Sequence, residues 1–236
     1  MGCYIPIEQL NYVASKYVER YYRLIGRDTD GYFPPIDPTI LAEQVLNLEL
    51  QYLPLSIDGS ILGMAVFEST ELVYTLSNGN METVTLDEKN SVIDTALLGP
   101  EHTGRRNFTI SHENAHHVLE REFPGSQGIT CKRKAHVLYR RSNRYDPVEW
   151  RADALASMML MPRPLILDSM RRFGLPINID MINRVFRPEL FAKFEQVALF
   201  LGVSKQALCI RLKQLKMVRK EYLANPYDLV NVYMDD

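Results

Sequence analysis

The feature that most constrains the fold of this chain is the segment 108–122, FTISHENAHHVLERE, whose apolar spacing predicts an amphipathic helix. His112 and His116 stand four residues apart, so on a helix their side chains lie one above the other on the same face. The helix must therefore pack one side on a core while it presents two imidazoles together. The residues predicted to face the core are Phe108, Ile110, Ala115, Val118 and Leu119.

Glu113 completes a His-Glu-x-x-His pattern with these two histidines. Two imidazoles four residues apart can bind one tetrahedral ion, and a glutamate beside it can take a proton from water that the metal makes acidic. The alternative is a chance placement of two of only five histidines beside a glutamate. Because such a coincidence is rare, the pattern predicts Zn²⁺ bound by His112 and His116, with Glu113 as general base.

A second amphipathic helix, VEWRADALASMMLMP, offers a third ligand in Glu149. Catalytic zinc sites use three protein ligands and leave one position open. Asp153 shares the face of Glu149 and could accept a hydrogen bond from the other nitrogen of a zinc histidine. The alternative is that Glu149 is a helix-start acid favoured by the helix dipole, and that Asp153 is a solvated surface residue. Spacing alone does not choose between these two interpretations.

Composition restricts the class of protein. The 236 residues are 46% hydrophobic and carry a formal net charge of -2, which argues against a dedicated DNA-binding protein. None of the three cysteines forms a Cys-x-x-Cys pair, so neither a disulfide framework nor a thiolate zinc site is indicated. The first twenty residues lack the apolar stretch of a signal peptide or membrane helix. We expect a cytoplasmic protein with no membrane partner.

The rest of the chain divides into helical and extended segments. Helices are predicted at 8–26 and at 38–48, the second with Asp37 as N-cap and Pro38 at its first position. Alternating apolar segments from 50 to 92, broken by turn residues, predict a small antiparallel sheet with hairpin turns.

From about residue 91 to 218 the pattern is helical, apart from 122–145, EFPGSQGITCKRKAHVLYRRSNRY. We interpret that basic segment as an irregular connector between the two site helices, of the kind that often borders a site.

The two site segments, taken together, resemble the ImmA/IrrE family of metallopeptidases. GRRNFTISHENAHHVLE is similar to the family block that carries the His-Glu-x-x-His motif, and VEWRADALASMMLMP is similar to the block that follows it. IDPTILAEQVLNLELQYLPL upstream and VALFLGVSKQALCIRLKQLKMV downstream extend the likeness over about 37–218.

Position by position, this resemblance implies zinc bound by His112, His116 and Glu149, with Glu113 as general base. Asp153 stands where the family often has Asn or Asp. The chain departs from the family pattern without losing a ligand at Asn114, Ala115, Arg151 and Leu155.

The fold implied by the resemblance is α+β, with a zincin-like metallopeptidase domain at 1–170 and a helical C-terminal region at 171–236. The implied activity is that of a zinc-dependent endopeptidase that cleaves a helix-turn-helix repressor and so relieves gene repression. One alternative is a DNA-binding regulator whose zinc site is structural or vestigial. Another is a protein that sequesters the repressor without cleaving it.

The connector holds further candidates. Metallopeptidases commonly need a second donor for the oxyanion, and His136, Tyr139 and Tyr145 qualify without the sequence choosing among them. Cys131 could ligate the open zinc position, although a free buried thiol is the ordinary alternative. His117 points about 100° away from His116 on the helix, which favours a packing role.

Two basic stretches leave a nucleic-acid role open. The connector cluster could meet an acidic partner or nucleic acid, or could be a solvated loop; its residues are Lys132, Arg133, Lys134, Arg140, Arg141 and Arg144. Residues 195–219 resemble a helix-turn-helix with Ser204 as N-cap. For this stretch we favour helix packing or protein recognition over DNA binding. Its basic residues are Lys205, Arg211, Lys213, Lys216 and Arg219.

Overall fold

The structure, a computed structural model, describes residues 5–26, 33–126, 135–139 and 146–228. These residues fall into two compact units. The first comprises the described residues of 5–26 and 36–162, and the second those of 33–35 and 163–228. The predicted boundary between the metallopeptidase domain at 1–170 and the helical region at 171–236 stays a prediction.

A four-stranded mixed sheet organises the first unit, in the order β1-β5-β2-β6. β1 (Glu49–Leu53) pairs in parallel with β5 (Asn90–Asp94). β2 (Ile61–Val66) runs antiparallel to β5 and to β6 (Ala135–Tyr139). The expectation of a wholly antiparallel sheet is therefore wrong for one pair, because β1 and β5 are brought side by side by a connection that contains three other strands.

The two faces of this sheet bury different clusters, since neighbouring residues on a strand point to opposite sides. Val92 belongs to a cluster with Met64 and Val66, against which the separate hairpin of β3 (Thr70–Thr75) and β4 (Met81–Leu86) packs. Ile93 packs with Leu97 and with Ile110 of the helix α3 (Thr103–Glu122). The sheet thus carries the hairpin on one side and α3 on the other.

α3 (Thr103–Glu122) is the central helix of the first unit. Every residue from 109 to 119 is buried, as expected of a helix that packs on all sides. It contacts β2, β5 and the helix α4 (Pro147–Leu160). The predicted core-facing side is confirmed at Ile110, Ala115, Val118 and Leu119, whereas Phe108 is only half-buried.

The remaining helices of this unit follow their predicted signals. α1 (Ile7–Leu24) buries one face, including Leu10 and Tyr17, and packs against α4. α2 (Pro38–Ile40), continued by a π-helical turn at Leu41–Val45, has Asp37 as N-cap, whose carboxylate accepts from the Thr39 backbone amide at 2.8 Å. Short 3₁₀ turns at Thr95–Leu97 and Pro100–His102 lead from β5 into α3.

The second unit is mainly helical. It contains α5 (Arg163–Arg172), α6 (Pro188–Phe200) and α7 (Lys205–Gln214), with a parallel pair of strands, β7 (Ile179–Ile182) and β8 (Val218–Glu221). Ser204 caps α7 by accepting from the Ala207 amide at 3.1 Å, which confirms its predicted role.

The prediction of helix and irregular connector between about residues 91 and 218 is wrong at β6 and β7, and the further strand β8 begins where that range ends. Each of these strands has only four or five residues. Each pairs with a segment at least 36 residues away, for example Ile179 with Val218. Local periodicity over so few residues does not reveal a partner at that distance.

Candidate metal centre

The central turns of α3 hold His112 and His116 with their rings against each other. Both side chains are completely buried, and their Nε2 atoms lie 2.9 Å apart. The ring planes cross at 74°, with centroids 4.7 Å apart. The spacing of four residues therefore brings the two imidazoles together on one face of the helix, as predicted, and the Nε2 atoms of both rings reach the same point.

α4 brings Glu149 to that point from a separate stretch of the chain. Asp146 caps the helix by accepting from the Val148 amide at 2.8 Å, and Pro147 occupies its first position. This start places Glu149 in the first turn, with Oε2 at 3.0 Å from His112 Nε2 and Oε1 at 3.8 Å from His116 Nε2. Its side chain is 24% exposed, so solvent reaches the cluster from this side.

Asp153 lies one turn further along α4 and contacts the opposite nitrogen of His112. Its Oδ1 is 2.8 Å from His112 Nδ1. With the Nδ1 proton directed at this carboxylate, Nε2 of the neutral ring offers its lone pair to the cluster. This contact holds the His112 ring in place and favours the tautomer with the proton on Nδ1, as carboxylates do behind metal-bound histidines.

The three converging groups fit a metal ion. His112, His116 and Glu149 each offer one ligand atom, and these atoms lie within 4.8 Å of one another. Once His112 is deprotonated, all three offer lone pairs toward a common point, which is unfavourable unless a cation lies between them. Two imidazoles and one carboxylate match a known catalytic ligand set for zinc.

The pKa of His112 reflects the same concentration of acceptors. Burial lowers the pKa of this imidazole, but the hydrogen bonds to Asp153 and Glu149, together with the negative charges of Glu113 and Asp153, outweigh burial and raise the pKa to about 10. Without a metal ion, a proton on His112 is what these carboxylates stabilise. A metal ion must displace that proton to bind.

Glu113 follows His112 on α3 and is completely buried. Neither of its carboxylate oxygens has a hydrogen-bond partner among the described residues. Burial raises its pKa to about 8. The charge of His112 lowers this pKa, whereas the charge of Glu149 raises it. The nearby Ala65 amide lowers that pKa slightly without reaching hydrogen-bond geometry. A buried carboxyl with a pKa near neutrality can both accept and return a proton.

Gly63 on β2 makes room for Glu113, a feature at which a glycine within a strand pattern only hints. A Cβ at this position would overlap the Glu113 carboxyl group and lie 2.9 Å from Cγ2 of Thr109. β2 can approach α3 this closely only because residue 63 has no side chain.

Two departures from the family pattern have structural roles here. Asn114 donates from Nδ2 to the Pro38 carbonyl at 3.0 Å, which ties α3 to the start of α2. Arg151 is buried on α4 and donates from Nη2 to the Ser126 carbonyl at 2.6 Å, just beyond the end of α3. Both side chains therefore anchor the helices that carry the cluster.

The other predicted candidates fall into different places. His117 is buried on a different side of α3 from His116, and its ring packs 5.3 Å from that of Phe67. His136 and Tyr139 belong to β6. Tyr145, Cys131 and the basic connector cluster 132–134 and 140–144 lie outside the described residues. The choice of an oxyanion donor stays open.

Two basic side chains of the helix-turn-helix-like segment, Lys205 and Lys213, have acidic neighbours. Lys205 pairs with Glu195 at 2.6 Å, and Lys213 pairs with Glu221 at 3.2 Å. Arg211 is buried, and burial lowers its pKa to about 10. The helix-turn-helix-like segment therefore presents less available positive charge than its sequence suggests.

Residues 98–213 match a protein family described as the IrrE N-terminal-like domain. The match begins just before α3, includes both helices of the cluster, and ends within α7. No curated protein matches the chain. Among the described helices, none has the length and apolar character needed to cross a membrane.

Proposed function

This chain belongs to the ImmA/IrrE family and carries a metallopeptidase-like domain, and on that premise we propose that it is a zinc-dependent endopeptidase. The observation that supports the proposal best is the convergence of His112, His116 and Glu149 beside the buried carboxyl of Glu113, which has no hydrogen-bond partner in the described part of the chain. A structural zinc site would have no use for an unpaired acid at that position.

In the proposed mechanism, His112, His116 and Glu149 hold the ion. Zinc bound there supplies a Lewis acid that acidifies water and polarises the scissile carbonyl. Glu113 takes a proton from the attacking water and delivers it to the amine as the peptide C–N bond breaks. Asp153 accepts a hydrogen bond from the Nδ1–H of His112 throughout, so that the ring keeps its orientation.

The raised pKa of Glu113 suits both halves of this proton transfer. Because burial disfavours its charged form, Glu113 is a stronger base than an exposed glutamate. Positive charge at the ligand site would lower the pKa again and keep the group ionised before reaction. Glu113 would therefore take up a proton from the attacking water readily and would still release it to the leaving amine.

We further propose that the substrate is a cytoplasmic helix-turn-helix repressor, whose cleavage relieves repression of its genes. This part rests on the resemblance to anti-repressors in the family. The rival proposals are DNA binding through the α6–α7 region and sequestration of the repressor without cleavage. The paired lysines of α7 and the burial of Arg211 favour the peptidase over DNA binding.

Co-expression with a helix-turn-helix repressor encoded beside this chain tests the proposal. We expect the wild type to cleave the repressor, and Glu113→Gln to leave it intact while keeping zinc. If gene expression is still relieved with Glu113→Gln and the repressor stays whole, sequestration replaces the peptidase model. A gel shift with the operator whose affinity falls steeply with salt would instead support the DNA-binding model.

A further inference from the structure

A cavity of about 390 Å³ lies on another side of α3 from the metal cluster. His117 and Glu120, three residues apart on the helix, share one face and form its inner wall. Phe67 and Glu68, just after β2, and Glu88, in the turn between β4 and β5, complete most of the lining. None of these residues takes part in the proposed peptidase chemistry.

Two buried acceptors in this wall lack partners among the described residues. The His117 ring donates to the Asn90 backbone carbonyl, which leaves Nε2 of the 93%-buried side chain with an unused lone pair. Glu120 accepts from the Gly125 amide through Oε1, whereas its buried Oε2 has no partner. Buried acceptors without donors are unfavourable, so a ligand that brings N–H groups would satisfy both.

The charge of the lining selects a cation. Three carboxylates line the cavity against a single guanidinium, that of Arg121, which donates to the Leu46 carbonyl at 3.2 Å. The ring of Phe67 adds an aromatic wall that favours cationic groups. An organic cation fits better than a metal ion, because among the described residues the three-ligand convergence occurs at His112, His116 and Glu149 and not here.

We propose that this cavity binds a lysine or arginine side chain of a polypeptide partner. The ammonium or guanidinium group would donate to His117 Nε2 and Glu120 Oε2 and lie against Phe67, with Glu68 and Glu88 at the exposed rim. That the partner is the substrate of the peptidase rests on the proposed function. The cation-binding property itself does not.

Binding of capped amino acids to the zinc-loaded full chain tests this proposal without any cleavage step. The probes are N-acetyl-arginine amide and N-acetyl-lysine amide, with N-acetyl-citrulline amide as the neutral match of arginine. NMR of the His117 ring nitrogens reports occupancy. We expect saturable binding of both cations and affinity about tenfold weaker for citrulline, because a charge-assisted hydrogen bond is lost.

Glu120→Gln should weaken cation binding about tenfold, whereas Glu101→Gln, the same change at an exposed site, should not. Circular dichroism and zinc content check that both variants remain folded and loaded. Equal binding of citrulline and arginine, an unchanged affinity in Glu120→Gln, or no saturable shift of His117 would overturn the proposal. A second zinc per chain that Glu120→Gln removes would do so too. Peptidase activity that is absent while these shifts persist refutes the proposed function alone.

Discussion

The helix pairs α3–α4 and α6–α7 are both rich in titratable side chains, but they differ in whether those side chains are buried and whether they have partners. On α3 and α4, two completely buried histidines and a carboxylate converge, and the neighbouring Glu113 has no partner among the described residues. On α7, Lys205 pairs with Glu195 of α6 and Lys213 pairs with Glu221 of β8, and both pairs lie at the surface. Of these two helix pairs, α3–α4 is the one that has buried acceptor atoms which a bound cation could satisfy.

This difference shows which property of a charged cluster indicates function. A basic stretch in a sequence is only a count of charges, and exposed ion pairs contribute little free energy. A buried polar group without a partner destabilises the fold, and it persists where a ligand or a reaction uses it. The predictions below test whether α3–α4 and α6–α7 differ in this way.

The largest effect is expected for Glu113→Gln. Removing the base should lower kcat about 10³-fold, because general-base catalysis is lost while the three ligands remain. Steady-state cleavage rates and zinc content of the purified variant measure both parts. Activity within a few fold of the wild type would show that another group takes the proton.

Metal binding should strengthen with pH, while the metal-free fold weakens. The folded-state pKa of His112 is about 10 against an ordinary 6.5, so its stabilisation is complete below 6.5 and is lost as the pH rises toward 10. The pKa of Glu113 is raised from 4.5 to about 8, so this group also makes the metal-free fold less stable as the pH rises between those two values. The melting temperature of the protein in the presence of a chelator should therefore fall as the pH rises from about 6.5 toward 10.

Zinc affinity should change in the opposite direction, rising by up to about tenfold per pH unit until His112 is deprotonated. Zinc titrations at several pH values measure it. A melting temperature in chelator that stays level or rises between neutral and alkaline pH would show that His112 does not hold a proton in the folded state.

Asp153→Ala should weaken zinc binding about 10- to 100-fold, because the His112 ring loses the acceptor that orients it. Asp153→Asn should recover part of this loss, since its amide oxygen can still accept from Nδ1. Competition with a chelator of known affinity measures the change. If alanine and asparagine variants bind zinc as tightly as the wild type, Asp153 is only a surface residue.

Gly63→Ala should destabilise the fold by about 1–3 kcal/mol and reduce activity, because the new methyl group displaces the Glu113 carboxyl group. Gly99→Ala is the matched control. The atoms nearest to its Cβ would be those at the end of the exposed Glu101 side chain, which can move away. Urea unfolding of both variants compares them, and equal stability would mean that β2 adjusts freely.

The smallest effect belongs to the α6–α7 pair. Lys205→Ala and Lys213→Ala should each change the free energy of unfolding by less than about 1 kcal/mol, because both ion pairs are exposed. Denaturant titration measures this. A larger loss, or a DNA affinity that either change reduces, would mean that this helix pair carries a function of its own.

How much of this was predictable depends on the distance over which each feature acts. α1, the Asp37 and Ser204 caps, and the pairing of His112 with His116 follow from spacings within one helix. The approach of Glu149 needed two segments to be considered together, and spacing left it undecided until the family resemblance was added. The structure brings Glu149 to the two histidines.

Features that depend on distant pairings were not predictable. The parallel pairing of β1 with β5, the strand β6 within the connector, and the β7–β8 pair join segments far apart in the chain. The role of Gly63 depends on how closely β2 and α3 approach. A glycine within an alternating strand only hints at a bulge or a close approach.

X-ray absorption at the zinc edge of the loaded protein tests the central claim most directly. His112, His116 and Glu149 predict one zinc per chain with two imidazole nitrogens at about 2.0 Å and oxygen ligands for the rest. In Glu149→Ala, zinc should be lost or show altered oxygen scattering, with the fold intact by circular dichroism. A spectrum dominated by sulfur, or one with a single imidazole, would contradict the assignment of these three side chains.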